Sequence, residues 1–127
     1  MNGLHLTADL RDCATDCAAL SDMAALRKSC LDAVALSGLT PVGELFHAFP
    51  TAPGAVTAGG VTGVVLLAES HLAVHTWPEL SAVTVDVYVC NFGADNTARA
   101  HQLMDSLQAV FSPRRIERHA LPRGRTE

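Results

Sequence analysis

Residues 69–79, Glu-Ser-His-Leu-Ala-Val-His-Thr-Trp-Pro-Glu, put the Ser70 hydroxyl, two imidazoles, an indole and two carboxylates into a stretch that otherwise reads as buried strand. A buried polar group left unpaired costs about 1–3 kcal/mol, so each of these must be paired or functional. Ser70 stands between two apolar runs, where a tight reversal is expected. Serine is a weak nucleophile unless something activates it. His75 follows five residues later. Strict strand alternation puts it on the face opposite Ser70, a turn at Ser70 would break that parity, and spacing alone leaves contact open. Cys90 ends a later strand, and its thiol approaches Ser70 if the strands pair antiparallel.

Other chemistries fit this constellation less well. No acidic partner is fixed by spacing, and the G-x-S-x-G elbow is absent around Ser70, which disfavours ordinary hydrolysis. His71 and His75 share a strand face but stand about 13 Å apart along the backbone, too far for one metal ion. No metal is expected, and Cys13 and Cys17 lack a ligand set. The glycines Gly59, Gly60 and Gly63 lack a phosphate-loop lysine and lead into a strand, so they read as a flexible entry loop. Thr62 in that entry has a hydroxyl that can donate at a reacting centre. Taken singly, His75 reads as a hydrogen-bonded structural histidine, Cys90 as a buried inert thiol, and Phe49 and Trp77 as core.

The elements that must position these residues follow from hydrophobic period. His5–Leu10 reads as a short strand. Ser21 is expected to cap a helix running to about Leu36, with Met23, Leu26, Cys30 and Val34 on one stripe and Gly38 as its stop. Pro41–Phe49 and Val61–Ala68 read as strands. In His71–Trp77, the residues His71, Ala73, His75 and Trp77 face one way and Leu72, Val74 and Thr76 the other. Ala82–Cys90 alternates valines with Thr84, Asp86, Tyr88 and Cys90. A helix from about Asn96 to Val110 buries Leu103, Met104, Leu107 and Val110 or Phe111, and Arg115–Leu121 forms a last strand. The central connections are too short for helical crossovers, so the pairing is antiparallel. The expected architecture is α+β, a two-layer sandwich with an antiparallel sheet and two helices on one face. The other face is left for a partner or a site. Pro50–Gly60 and the tail from Pro122 are the segments expected to be least ordered.

At 127 residues the chain is one domain, and a net charge of −4 argues against a nucleic-acid partner. Arg114, Arg115 and Arg118, with Arg123 and Arg125 beyond, read as a solvated end. No apolar stretch approaches a membrane span, no secretory leader is evident, and the four cysteines read as reduced thiols of a cytoplasmic protein.

The segment Gly60-Val-Thr-Gly-Val-Val-Leu-Leu-Ala-Glu-Ser-His-Leu-Ala-Val-His-Thr-Trp-Pro-Glu79 resembles the processing segment of the bacterial and archaeal S-adenosylmethionine decarboxylase proenzymes. Asp86 and Cys90, His5-Leu6 with Ala8-Asp9-Leu10, and Phe46-His47-Ala48-Phe49 continue the resemblance. It implies self-cleavage between Glu69 and Ser70 into chains 1–69 and 70–127. Ser70 Oγ would attack the Glu69 carbonyl to give an ester, with Thr62 supporting the oxyanion. Elimination and loss of ammonia would leave a pyruvoyl group at position 70. The resemblance makes His75 the processing residue, suited by its near-neutral reference pKa to proton transfer. The pyruvoyl cofactor would form a Schiff base with S-adenosylmethionine and act as electron sink while CO2 leaves. Cys90 would return a proton to the substrate carbon. Phe49, Trp77 and Glu79 would bind substrate, the aromatics at the sulfonium or adenine and Glu79 through the ribose. The product would supply aminopropyl groups for spermidine synthesis, and the processed chains would assemble as an (αβ)2 dimer in which Phe49 serves the neighbouring protomer.

Three departures from the family pattern stand out: the longer Pro50–Gly60 loop, Thr62 in place of serine, and Asn-Phe-Gly after Cys90. Two alternatives remain. One is a pyruvoyl-dependent ornithine or arginine decarboxylase, which needs a second carboxylate for a distal cation. The other is an uncleaved regulatory homologue.

Overall fold

Period-two alternation runs through four segments whose apolar members are almost all buried, and that pattern builds the sheet. The computed structural model describes residues 2–124. In chain order the elements are β1 (Gly3–Arg11), α1 (Met23–Ser37), β2 (Pro41–Ala48), β3 (Val61–Leu67), β4 (Ser70–Trp77), β5 (Ala82–Cys90), α2 (Thr97–Phe111) and β6 (Arg115–Arg123). Short 3-10 turns at Ala18–Leu20 and Pro78–Leu80 precede α1 and β5. The six strands form one sheet in the order β2-β3-β4-β5-β1-β6, every neighbouring pair antiparallel. The fold is therefore the expected two-layer α+β sandwich, with both helices on one face.

On that face Val65, Leu72, Val74, Val83, Val85, Val87 and Leu10 pack against Leu26, Cys30 and Val34 of α1 and Leu103, Met104, Leu107 and Phe111 of α2. Each such side chain contributes about 1.5–3 kcal/mol when fully buried. The opposite face presents Thr62, His71, His75, Tyr88 and His5, all half-buried, and carries no helix among the described residues.

The helix ends differ in detail from expectation. Asp22, not Ser21, caps α1: its Oδ1 accepts from the N–H groups of Ala24 (3.0 Å) and Ala25 (3.4 Å). Ser21 is consumed as the closing residue of the preceding 3-10 turn, donating its N–H to Ala18. Met23 is thereby the first helical residue and lies 39% exposed, ahead of the buried stripe. Gly38 stops α1 at a left-handed φ of 83° that a side chain would strain. In α2 the choice falls on Phe111, which is fully buried, while Val110 packs at the margin.

Pro122 does not begin a loose tail. It pairs with Leu4 within β6, an edge strand, where proline is tolerated. Arg125 lies outside the described residues. Two of the clustered arginines are neutralised: Arg115 donates to Asp12 and Arg118 to Asp105, each at 2.6 Å. All four cysteines are free thiols, and burial pushes Cys13 up to about 11 and Cys30 up to about 12. No helix of the described residues is long and apolar enough to cross a membrane.

Candidate active site: two clusters on one sheet

The sequence-identified residues fall into two groups, at opposite ends of β4. Ser70 opens the strand and Trp77 closes it. Five residues separate Ser70 from His75, about 16 Å at strand rise. The reversal between β3 and β4 is made by Ala68 and Glu69 alone, with Ser70 already paired to Leu67. Parity is therefore unbroken: Ser70 is buried on the side of Leu72 and Val74, and His75 lies on the helix-free face.

The first group surrounds the Glu69–Ser70 bond. Glu69 occupies the left-handed region at φ 57°, a conformation that costs a residue with a Cβ about 1–2 kcal/mol. Ser70 Oγ accepts from the backbone N–H of Cys90 at 3.2 Å. The Cys90 carbonyl in turn accepts from Asn96 Nδ2 at 2.9 Å. Cys90 itself is half-buried, opposite Gly3 in the β1–β5 register. Beside it on the same face, His71 stacks on Tyr88 with centroids 5.7 Å apart, and Arg123 lies 5.7 Å above the Tyr88 ring. His5 Nδ1 accepts from Arg123 at 3.2 Å, while its buried Nε2 has no partner among the described residues and lies 4.0 Å from Asp86.

The second group stands at the other end. Thr62 is directly opposite His75 in the β3–β4 ladder, and Thr62 Oγ1 lies 3.1 Å from His75 Nδ1. The His75 ring is tilted against Trp77, centroids 6.0 Å apart. Phe49, Gly60, Thr62, His75, Thr76, Trp77 and Glu79 line a cavity of about 340 Å3. Two aromatic faces, 51% and 38% exposed, and one carboxylate suit a flat, cationic ligand. A wider depression, about 880 Å3 between Asp12, Asp16, Ser81, Ser112 and Arg114, contains none of the nominated residues and no aromatic wall.

Local packing explains why the cavity exists. Buried Thr76 accepts the N–H of Val61 at 2.9 Å, and Phe49 N–H donates to the Gly60 carbonyl, closing the long loop at its base. A Cβ on Gly60 would run into the Thr76 carbonyl oxygen, and one on Gly59 into the Phe49 carbonyl oxygen, so only glycine fits this approach.

Three residues here were given no site role in the sequence reading. His47 is paired with Thr62 and sets its ring edge-on to Phe49 at 4.8 Å; its i, i+2 spacing from Phe49 on one strand was the available signal. Asn96 grips Cys90, and Arg99 NH1 donates to Asn96 Oδ1 at 2.8 Å. Neither had a signal beyond an asparagine at a helix start.

The chain is similar to known proteins in sequence and in fold. The S-adenosylmethionine decarboxylase family model matches residues 4–124. The S-adenosylmethionine decarboxylase proenzyme of Aquifex aeolicus is 35% identical over 125 residues, covering 98% of this chain and 83% of that protein. That of Symbiobacterium thermophilum is 37% identical, covering 96% and 83%. The crystal structure of the Aquifex aeolicus adenosylmethionine decarboxylase superposes with a TM-score of 0.81 at 34% identity, over 98% of this chain and 92% of that one. A chain matched over nearly all of its length in sequence and in fold, this protein belongs to the S-adenosylmethionine decarboxylase family.

Proposed function

We propose that this chain cuts itself between Glu69 and Ser70 and, as a dimer, decarboxylates S-adenosylmethionine with a pyruvoyl group derived from Ser70. The observation that carries the reading is the division of labour along β4. Nucleophile and thiol sit at one end; histidine, threonine hydroxyl and aromatic cleft sit about 16 Å away at the other. Each end is chemically incomplete. A second copy, related by a two-fold that brings its Trp77 end beside the first copy's Ser70 end, supplies His75, Thr62, Phe49, Trp77 and Glu79 to the first copy's Ser70 and Cys90.

The residues around position 70 fit such a group. The Cys90 N–H already donates to the oxygen on residue 70 and would hold an oxygen there after cleavage. The left-handed φ at Glu69 strains the bond to be broken, and breaking it releases that strain. In cleavage, Ser70 Oγ attacks the Glu69 carbonyl, its proton passing to His75 of the second copy. Thr62, bonded to His75, fixes the ring or donates to the developing oxyanion. The pyruvoyl ketone supplies the electron sink for loss of CO2. Trp77 and Phe49 hold adenine or sulfonium, Glu79 holds the ribose hydroxyls, and the Cys90 thiol delivers a proton to the substrate carbon.

Substrate choice follows from the cleft. Among the described residues Glu79 is the one acid lining it, beside two aromatic faces, whereas a diamino acid would need a further carboxylate for its distal cation. The test is intact mass under denaturing conditions with CO2 release from S-adenosylmethionine, ornithine and arginine side by side. Two fragments split before residue 70, the second blocked at its N-terminus and reducible by borohydride, are expected, with release from S-adenosylmethionine alone. An active preparation with a single full-length mass refutes the reading.

A further inference from the structure

We propose that Asn96, oriented by Arg99, is a positioning residue that holds Cys90 against Ser70. The proposal rests on the reading of Ser70 and Cys90 given above, and concerns how this chain keeps them in place.

Both peptide groups that flank the Cys90 Cα are tied down. Its N–H donates to Ser70 Oγ at 3.2 Å, and its carbonyl accepts from Asn96 Nδ2 at 2.9 Å. The direction of the thiol and the aim of the N–H are therefore set together, and a tilt of this one residue displaces both. The amide of Asn96 has only one consistent orientation. Arg99 is a pure donor and contributes NH1 at 2.8 Å, so the atom facing it is Oδ1 and the atom facing Cys90 is Nδ2. The Asn96 backbone is held as well, its N–H donating to Asn91 Oδ1 at 2.8 Å, while the Asn91 N–H donates to the Asn2 carbonyl at 2.7 Å.

The position of Asn96 in α2 makes this arrangement informative. It is the N-cap residue, where an asparagine side chain ordinarily accepts an N–H of the first helical turn. Here it makes no cap bond and turns back toward β5. Asp95 takes over, its Oδ1 accepting the Thr97 N–H at 2.9 Å. A residue suited to capping is thus released from the helix and spent on Cys90.

The deciding variant is Asn96→Asp. It keeps size, cap quality and the Oδ1 partner of Arg99, but loses the donor and sets an oxygen against the Cys90 carbonyl. A capping role predicts no loss, since aspartate caps as well as asparagine. Positioning predicts that cleavage at 69–70 slows about ten- to a hundredfold, and that kcat of the cleaved fraction falls by a similar factor. KM for S-adenosylmethionine is expected to stay within about twofold. Arg99→Ala, at an exposed residue, is expected to give a partial loss that Arg99→Lys restores. Alkylation of Cys90, followed by peptide mass, reads the same contact without any chemistry at Ser70 and is expected to speed up in Asn96→Asp. If the parent chain stays whole, the self-cleavage reading fails, and the alkylation comparison alone decides this proposal. An Asn96→Asp chain that cleaves, turns over and alkylates like its parent overturns it.

Discussion

The backbone N–H of Cys90 donates to Ser70 Oγ at 3.2 Å, linking residues twenty apart in sequence at adjoining strand ends. Removing the oxygen separates chemistry from folding. Ser70→Ala is expected to remain one full-length chain and to release no CO2, because the attacking atom is gone. A Ser70→Ala chain that still splits before residue 70 excludes this hydroxyl as the nucleophile.

Strain at Glu69 gives a second prediction. Its φ of 57° is one that glycine adopts freely and asparagine tolerates. On the uncleaved Ser70→Ala background, Glu69→Gly is expected to stabilise the chain by about 0.5–1 kcal/mol. With Ser70 intact the same change should slow cleavage, since less strain is released when the bond breaks. Thermal unfolding and a mass-resolved time course measure the two effects.

The single tryptophan of the chain, Trp77, lies in the cleft with Phe49, His75 and Glu79. Its emission should therefore report S-adenosylmethionine binding with no competing signal. Trp77→Leu keeps apolar bulk but removes the π face. It is expected to raise KM about tenfold or more while kcat changes less, the loss of an aromatic contact to a desolvated cation being about 1–2 kcal/mol. An unchanged KM would move the adenine or sulfonium elsewhere.

Much of the fold was legible because burial imposes period two on strands and a stripe on helices. Ala82–Cys90 matches its prediction to the residue. The helix caps were less legible. Ser21 and Asp22 are both good caps, and only the 3-10 turn ahead of them decides which is used. Segment 69–79 stood out through its polar and ionisable groups within an apolar stretch, but Phe49 and the roles of His75, Trp77, Glu79 and Cys90 were nominated only through the family resemblance. Their grouping was not legible, because it depends on whether the turn at Ala68–Glu69 preserves parity. Asn96 and Arg99 were invisible for a different reason: a side chain that leaves its helix to serve a strand end has no sequence period.

Acid stability gives a prediction of known sign. Hydrogen bonds from the Thr97 backbone and side chain hold the Asp95 carboxyl below the usual aspartate range. A depressed folded pKa means that the unfolded chain takes up the proton first. The contribution of Asp95 is thus complete above the ordinary aspartate pKa and is lost as pH falls through the folded value. Asp95→Asn should match its parent near neutrality to within the small worth of an exposed carboxylate and should show a shallower loss of stability on acidification.

The separation of the two clusters makes the strongest prediction, because it converts geometry into genetics. Ser70→Ala retains Thr62, His75 and the aromatic cleft; His75→Ala retains Ser70 and Cys90. Alone, each chain lacks one half of every site and should neither cleave nor turn over. Co-expressed, they form mixed dimers in which one of the two sites draws its nucleophile end from the His75→Ala chain and its histidine end from the Ser70→Ala chain. That site is wild type throughout, and the other carries both changes. Random pairing makes about half the dimers mixed, each with one good site, so activity should return to about a quarter of the parent's. Cleavage should appear only in the His75→Ala chain, which differences in intact mass distinguish. If His75 instead served Ser70 within one chain, across the strand and over about 16 Å, mixing would rescue nothing. Cysteine chemistry refines the result further: adding Cys90→Ser to the His75→Ala chain should abolish the recovered turnover, whereas adding it to the Ser70→Ala chain should leave that turnover intact. Only a site whose nucleophile and thiol travel together on one protomer, apart from its histidine, gives that asymmetry.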